Sequence, residues 1–144
     1  MHTLEQVLRN RNLVTARRDE PVLDVLRRMT DAQVGAIAIV DGDRLVGIFS
    51  ERDLMTRVVV PGRDPAATRV EEVMTRDVVT ADLRESRDAS LRKMRRRGCR
   101  HLPVLAGERV LAMLSMRDLL RDEIEEQFEE IRHLRAYVYQ VPPS

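Results

Sequence analysis

Apolar and polar positions follow one succession along this chain and then follow it again. Pro21 opens a stretch in which Val22, Val25, Leu26 and Met29 recur at spacings of three and four, the period of one helix face, with Pro at the first helical position. Ala36-Ile37-Ala38-Ile39-Val40 is an unbroken apolar run and predicts a buried strand. Asp41-Gly42-Asp43 supplies turn chemistry, and Leu45-Val46-Gly47-Ile48-Phe49 predicts the return strand of a hairpin. Further on, Leu91 and Met94 mark a helix that Gly98 ends, His101-Leu102-Pro103-Val104-Leu105 and Val110-Leu111-Ala112-Met113-Leu114 predict strands, and Ala106-Gly107-Glu108 lies between them. Pro103 lacks a ladder donor, which places it at an edge or a strand start.

Sliding the sequence by 65 positions lays residues 13–55 over residues 78–120 without a gap, with Thr15 on Thr80, Glu20 on Glu85, Ser50 on Ser115, Arg52 on Arg117 and Asp53 on Asp118. Short strands are predicted at Leu13-Val14-Thr15 and Val78-Val79-Thr80. Before them, Thr3 with Gln6 and Thr68 with Glu71 fit capping boxes, and Val7 and Leu8 match Val73 and Met74 at an offset of 66. Ser50 and Ser115 are placed to cap a closing helix in each copy. The order is β-α-β-β-α, twice. The predicted organisation is a first repeat over 1–60, a connector over 61–67, a second repeat over 68–120 and a C-terminal segment over 121–144. In that last segment Ile124, Phe128, Ile131, Leu134 and Val138 form an apolar stripe among Glu and Arg. This is an amphipathic helix that packs either on its own core or on a second subunit.

Composition narrows the class. The chain has 144 residues, 43% apolar and 34% charged, the profile of a globular domain, and two units of about 60 residues need each other to build a core. A net charge of +1 gives no overall pull toward nucleic acid or an anionic membrane. The Arg95-Arg96-Arg97 run fans over several helix faces, and aromatic content of 3% leaves few stacking platforms, so a solvated face is expected there. Cys99 is the only cysteine; it lies opposite Val34 in the repeat, and a small buried apolar role is expected. No apolar run suits a membrane helix and no signal-peptide pattern opens the chain, which points to the cytoplasm. His101 has no carboxylate or cysteine at metal spacing, so no metal is expected. No nucleophile arrangement and no Gly-rich phosphate loop is present, so catalysis is not expected.

Each copy ends in Ser-x-Arg-Asp, a polar signature that core packing does not require. The segments Gly47-Ile48-Phe49-Ser50-Glu51-Arg52-Asp53 and Ala112-Met113-Leu114-Ser115-Met116-Arg117-Asp118, with Val70-Glu71-Glu72-Val73-Met74-Thr75 and Arg100-His101-Leu102-Pro103-Val104, resemble a pair of CBS domains, the modules named after cystathionine β-synthase. The likeness spans about residues 3–120 and extends to stand-alone bacterial CBS pairs. It implies an α/β (α+β) fold in which two repeats pack with pseudo-two-fold symmetry, leaving two clefts. It also implies adenosine-containing ligands (AMP, ADP, ATP, NAD or S-adenosylmethionine) as regulatory rather than required cofactors, a homodimer, and a downstream protein partner.

Given that resemblance, Asp53 and Asp118 suit ribose hydroxyls, which a carboxylate accepts in a bidentate, charge-assisted way. Ser50 and Ser115 at helix N-caps suit a phosphate, as do Arg52 and Arg117 beside the acids. Thr15 and Thr80 are expected to offer backbone groups to a base edge, and Ala36, Arg100 and His101 to flank the cleft. The competing readings are structural: Ser-x-x-Asp as a simple N-cap, and the arginines as solvated surface. Ala112 replaces the glycine equivalent to Gly47; if ligand approaches the backbone closely there, the second cleft is narrowed. A ligand-free dimeric scaffold is the alternative function, and a nucleic-acid-binding protein a third.

Overall fold

The computed structural model describes residues 2–8 and 13–139, with the Tyr139 side chain excepted. In chain order the elements are α1 (Leu4–Val7), β1 (Thr15–Arg17), α2 (Val22–Ala32), β2 (Ala36–Asp41), β3 (Arg44–Ser50) and α3 (Glu51–Asp53), which continues as a π-helical stretch over Leu54–Val59. After a 3-10 turn at Val70–Glu72 come β4 (Ala81–Asp82), α4 (Arg87–Arg97), β5 (His101–Ala106), β6 (Arg109–Ser115) and α5 (Met116–Tyr139).

The strands are ordered β1-β2-β3-β6-β5-β4. Within each half the outer strand is parallel to its neighbour and the hairpin antiparallel, with equivalent registers: Ile37 opposite Phe49 and Leu102 opposite Leu114. Gly42 and Gly107 sit in the two hairpin turns at positive φ, +64° and +63°. The halves meet at one ladder pair, Arg44 opposite Arg109. Beside it Ala38, Val40 and Val110 form a small apolar cluster that joins the two halves of the sheet.

Several elements differ from the sequence pattern in instructive ways. Pro21 is the N-cap of α2 rather than its first helical residue. The outer strands start at Thr15 and Ala81, later than the apolar residues suggest, because only from there does the chain pair with β2 or β5. Pro103 is buried inside β5, between two strands. The two-residue β4 pairs with Val104 and Leu105 only, so no donor is asked of Pro103 on that side. Thr68 is not a helix cap. Its carbonyl accepts the Val22 N–H at 2.8 Å and its hydroxyl donates to the Asp64 carbonyl at 2.8 Å. The turn at Val70 is capped instead by Glu72, whose carboxylate accepts the Arg69 N–H at 2.8 Å. Cys99 is half-buried at the edge of a core, and Gly98 ends α4 in the left-handed region at φ +65°. The helix expected over 121–138 is the continuation of the helix that Ser115 begins.

Two cores result, and each contains a piece of the other repeat. The first is Val22, Val25, Met29, Ile37, Ile39, Phe49 and Val58, completed by Val70, Val73 and Met74 from the head of the second repeat. The second is Ala81, Leu91, Met94, Leu102, Val104, Leu114 and Leu119, completed by Leu4 from α1. Backbone bonds fasten both crossings in equivalent places. Leu4 N–H donates to the Glu85 carbonyl and Val70 N–H to the Glu20 carbonyl, each at 2.9 Å. Leu4 is fully buried, and truncating a buried leucine costs about 2–5 kcal/mol. Leu4→Ala is therefore expected to lower the stability of the whole chain by about 3 kcal/mol in a single urea transition. Two separate transitions, with the first repeat unaffected, would contradict the crossed cores.

Candidate functional site

The Ser-x-x-Asp signatures fold into reciprocal caps. Asp53 N–H donates to Ser50 Oγ at 3.3 Å, while Ser50 N–H and Oγ donate to Asp53 Oδ2 at 3.0 and 3.1 Å. In the second copy Asp118 N–H donates to Ser115 Oγ at 3.0 Å and Ser115 N–H to Asp118 Oδ2 at 3.1 Å. This is the capping-box arrangement with Asp in the third helical position. Both acids are buried, at 5% and 9% exposure. Asp53 is engaged further: Thr75 donates its hydroxyl to Oδ1 at 2.9 Å, and Arg57 Nε lies 3.6 Å away. Arg57, not the exposed Arg52, is the cation beside this carboxylate; it also donates to the Met74 carbonyl at 2.8 Å. Arg117 is exposed like Arg52.

Arg57 stands four residues beyond Asp53 on the same helix, the spacing at which side chains meet, whereas nothing in the local pattern marks Thr75 as its neighbour. Thr75 arrives from the segment that crosses β3, where Ile48 and Thr75 exchange backbone bonds of 2.9 and 2.8 Å. The same crossing explains Gly47. A Cβ there would stand 2.6 Å from Met74 Sδ and 2.9 Å from the Thr75 carbonyl oxygen. The close approach expected of a ligand is made by the chain itself.

Ala36 is buried at the start of β2, and the Gly35 and Arg100 carbonyls accept the first helical N–H of their repeats, Glu51 at 3.0 Å and Met116 at 2.8 Å. His101 stands near both repeats. Burial lowers its pKa from the ordinary value, against the pull of Glu51 from the first repeat and Asp118 from the second. Arg100 is exposed.

Thr15 and Thr80 share an internal device. Arg28 donates to the Thr15 carbonyl at 3.0 Å and to both oxygens of Glu20 at 2.9 and 2.6 Å. Lys93 donates to the Thr80 carbonyl at 2.9 Å and to Glu85. The Arg28 hydrogen bond holds Glu20 below the usual carboxylate range. Arg28 and Lys93, like Glu20 and Glu85, are 65 apart, so the clamp belongs to the repeat. It occupies the carbonyls that were expected to meet a base edge.

Thr80 nevertheless lines a cleft of about 280 Å³ built from both repeats: Arg44 and Val46 of β3, Arg76 and Val78 from the crossing segment, Leu105 of β5, and Glu108 of the second hairpin turn, whose carboxylate shares the lining with the two arginines. None of Ser50, Asp53, Ser115 and Asp118 lines it. Arg44 and Arg109 are directly opposite across the ladder, which puts two cations on one face. The repeat equivalents of Arg44, Arg76 and Thr80 are Arg109, Arg11 and Thr15, and Arg11 lies outside the described residues.

His2, Asp122 and Glu126 form the metal-sized grouping found among the described residues, with ligand atoms within 4.8 Å. Arg87 already serves it, donating to Asp122 at 2.9 Å and also to Glu126, so the two carboxylates have their countercharge. No helix among the described residues is long and apolar enough to cross a membrane.

Two crossed β-α-β-β-α units around a shared cleft define a tandem-repeat module, and comparison with known proteins gives its family. The CBS domain model matches twice, at residues 4–60 and 70–125, and the chain belongs to the CBS domain family. It is 32% identical over 127 residues to the CBS domain-containing protein CBSX3, mitochondrial, of Arabidopsis thaliana, covering 83% of this chain and 61% of that one. It spans only 22% and 19% of two longer Arabidopsis CBS-domain proteins. A CBS-domain structure from Burkholderia ambifaria MC40-6 superposes with a TM-score of 0.82 at 34% identity, covering 88% of this chain and 96% of that one. A CBS pair solved with 5′-methylthioadenosine and S-adenosyl-L-methionine has the same fold, with a TM-score of 0.78 at 23% identity, covering 88% and 98%.

His101 makes stability pH-dependent with a definite sign. Its folded pKa lies below the ordinary 6.5, so the unfolded chain takes up the proton first. That contribution is intact above the ordinary pKa and is lost as pH falls through it toward the folded value. Urea midpoints are expected to drop between about pH 7.5 and 5.5, and to drop less in His101→Gln. Equal slopes for the two proteins would show that burial of His101 is not felt in this range.

Proposed function

We propose that this chain is a non-enzymatic regulatory module that binds an adenosine-containing nucleotide between its two CBS repeats and reports occupancy through their relative orientation. The observation that carries the reading is the cationic junction of the two halves of the sheet. Like charges directly opposite on a sheet are destabilising, and Arg44 and Arg109 face each other where the halves meet, with Arg76 lining the same cleft as Arg44. A phosphate bound there relieves that repulsion and takes bidentate guanidinium contacts. Val46, Val78 and Leu105 offer the apolar surface a base requires. The pair of similar fold solved with 5′-methylthioadenosine and S-adenosyl-L-methionine supports an adenosine ligand.

The signature residues take a second place in this reading. Ribose contacts at Asp53 and Asp118, with Ser50, Ser115, Arg52 and Arg117 at phosphate, require the existing caps to be shared with ligand. A carboxylate has about four lone-pair sites, so sharing is chemically open. The full engagement of Asp53 by Ser50 and Thr75 is the observation that favours the alternative, a ligand-free scaffold in which the signature is structural.

Calorimetry of nucleotide-stripped protein with AMP, ATP, NAD, NADH and S-adenosylmethionine tests this. Saturable binding of a phosphate-bearing ligand is expected. Arg44→Ala with Arg76→Ala is expected to weaken it at least about tenfold, roughly 1.4 kcal/mol. S-adenosylmethionine, which carries no phosphate, should lose less. Asp53→Ala with Asp118→Ala reads the ribose assignment separately. Absence of heat from all five ligands would sink the sensor reading and leave the scaffold.

A further inference from the structure

α5 carries two faces that do different work. In its first three turns Leu119 is fully buried in the second core, and Asp122 and Glu126 receive Arg87. About 150° around the helix, at 100° per residue, lie Leu120, Ile124, Phe128, Ile131, Leu134 and Val138. All six are 40–63% exposed, and from Gln127 to Val138 every residue is exposed. A helix tail of this length is marginal in water without tertiary support, and its apolar stripe has no cover among the described residues.

The stripe has a heptad register. Ile124, Ile131 and Val138 occupy the a positions, and Leu120, Gln127 and Leu134 the d positions. β-branched residues at a with leucine at d favour two strands, and a lone polar seam residue such as Gln127 fixes register. The flanking e positions are Arg121, Phe128 and Arg135, and the g positions Glu123, Glu130 and Tyr137. Parallel pairing sets Glu130 against the partner's Arg135 on both sides of the seam. Antiparallel pairing sets glutamate against glutamate and arginine against arginine. The charges therefore choose both the occupant and its direction. Because the body of the protein sits on the face of α5 away from the stripe, two copies fit around the seam with their bodies outward.

We infer that residues 120–138 form a parallel two-stranded coiled coil with a second copy of this chain. The full-length protein is expected to sediment as a dimer. Leu134→Glu, at a position 63% exposed and remote from both cores, is expected to yield a monomer that keeps the urea midpoint of the body and loses helicity only from the tail beyond Glu126. In a Cys99→Ser background, Leu134→Cys is expected to give a covalent dimer on mild oxidation, where Glu125→Cys on the outer face does not. Arg135→Glu is expected to weaken the dimer about tenfold, and adding Glu130→Arg to restore it. A monomeric wild type, or a dimer that Leu134→Glu leaves intact, overturns the inference. Equal cross-linking from positions 134 and 125 overturns it as well.

Discussion

Leu4 fills a space in the second core that no residue between 78 and 120 fills, and Val70, Val73 and Met74 do the same for the first. The rest of the structure follows from that exchange. The segment that delivers Val73 and Met74 must cross β3, and in crossing it lays Thr75 on Asp53, demands a glycine at position 47 and forms one wall of the cleft at Thr80. The return crossing ties α1 to α4 and α5. Two units each too small to bury an adequate core become one cooperative body in which the cleft at Thr80 and the surroundings of Asp53 are made from both.

A second consequence of the crossing is electrostatic. The halves share little ladder: one residue pair, and that pair is two arginines. The strand junction itself, flanked by the small cluster of Ala38, Val40 and Val110 and opposed by like charge, is where a bound anion would act on the relative position of the two hairpins.

The offset of 65 residues made the pairing of elements legible, and the unbroken runs at 36–40 and 45–49 with Gly42 between them fixed the hairpins. Ser50, Ser115 and Gly98 were readable as helix ends because each acts on residues within one turn of itself. What the pattern could not show is what distant chain does to local groups. Thr68 has the composition of a cap, yet its carbonyl is taken by Val22. Pro103 looked like an edge residue, and the shortness of β4 lets it sit inside. The Glu20–Arg28 and Glu85–Lys93 clamps were visible in retrospect as charge pairs eight apart that recur in both copies. For the candidate site, the pattern drew attention to Thr80, which lines the cleft, and to Asp53 and Asp118, which are buried in helix caps outside it. It missed Arg76 and Thr75, which only the crossing segment brings to the cleft or to Asp53, and Arg44, which reaches the cleft from the start of β3 where the two halves pair.

The fastening at the base of α5 has a mechanical meaning. Arg87, itself buried, grips Asp122 and Glu126, and His2 joins them from the other end of the chain. Beyond Glu126 about 13 residues project as a rod of roughly 20 Å. A rod clamped at its root amplifies: turning the second repeat by about 10° swings the tip by roughly 3–4 Å over that length. Any turn of the second repeat against the first would therefore be felt most at the far end of the helix.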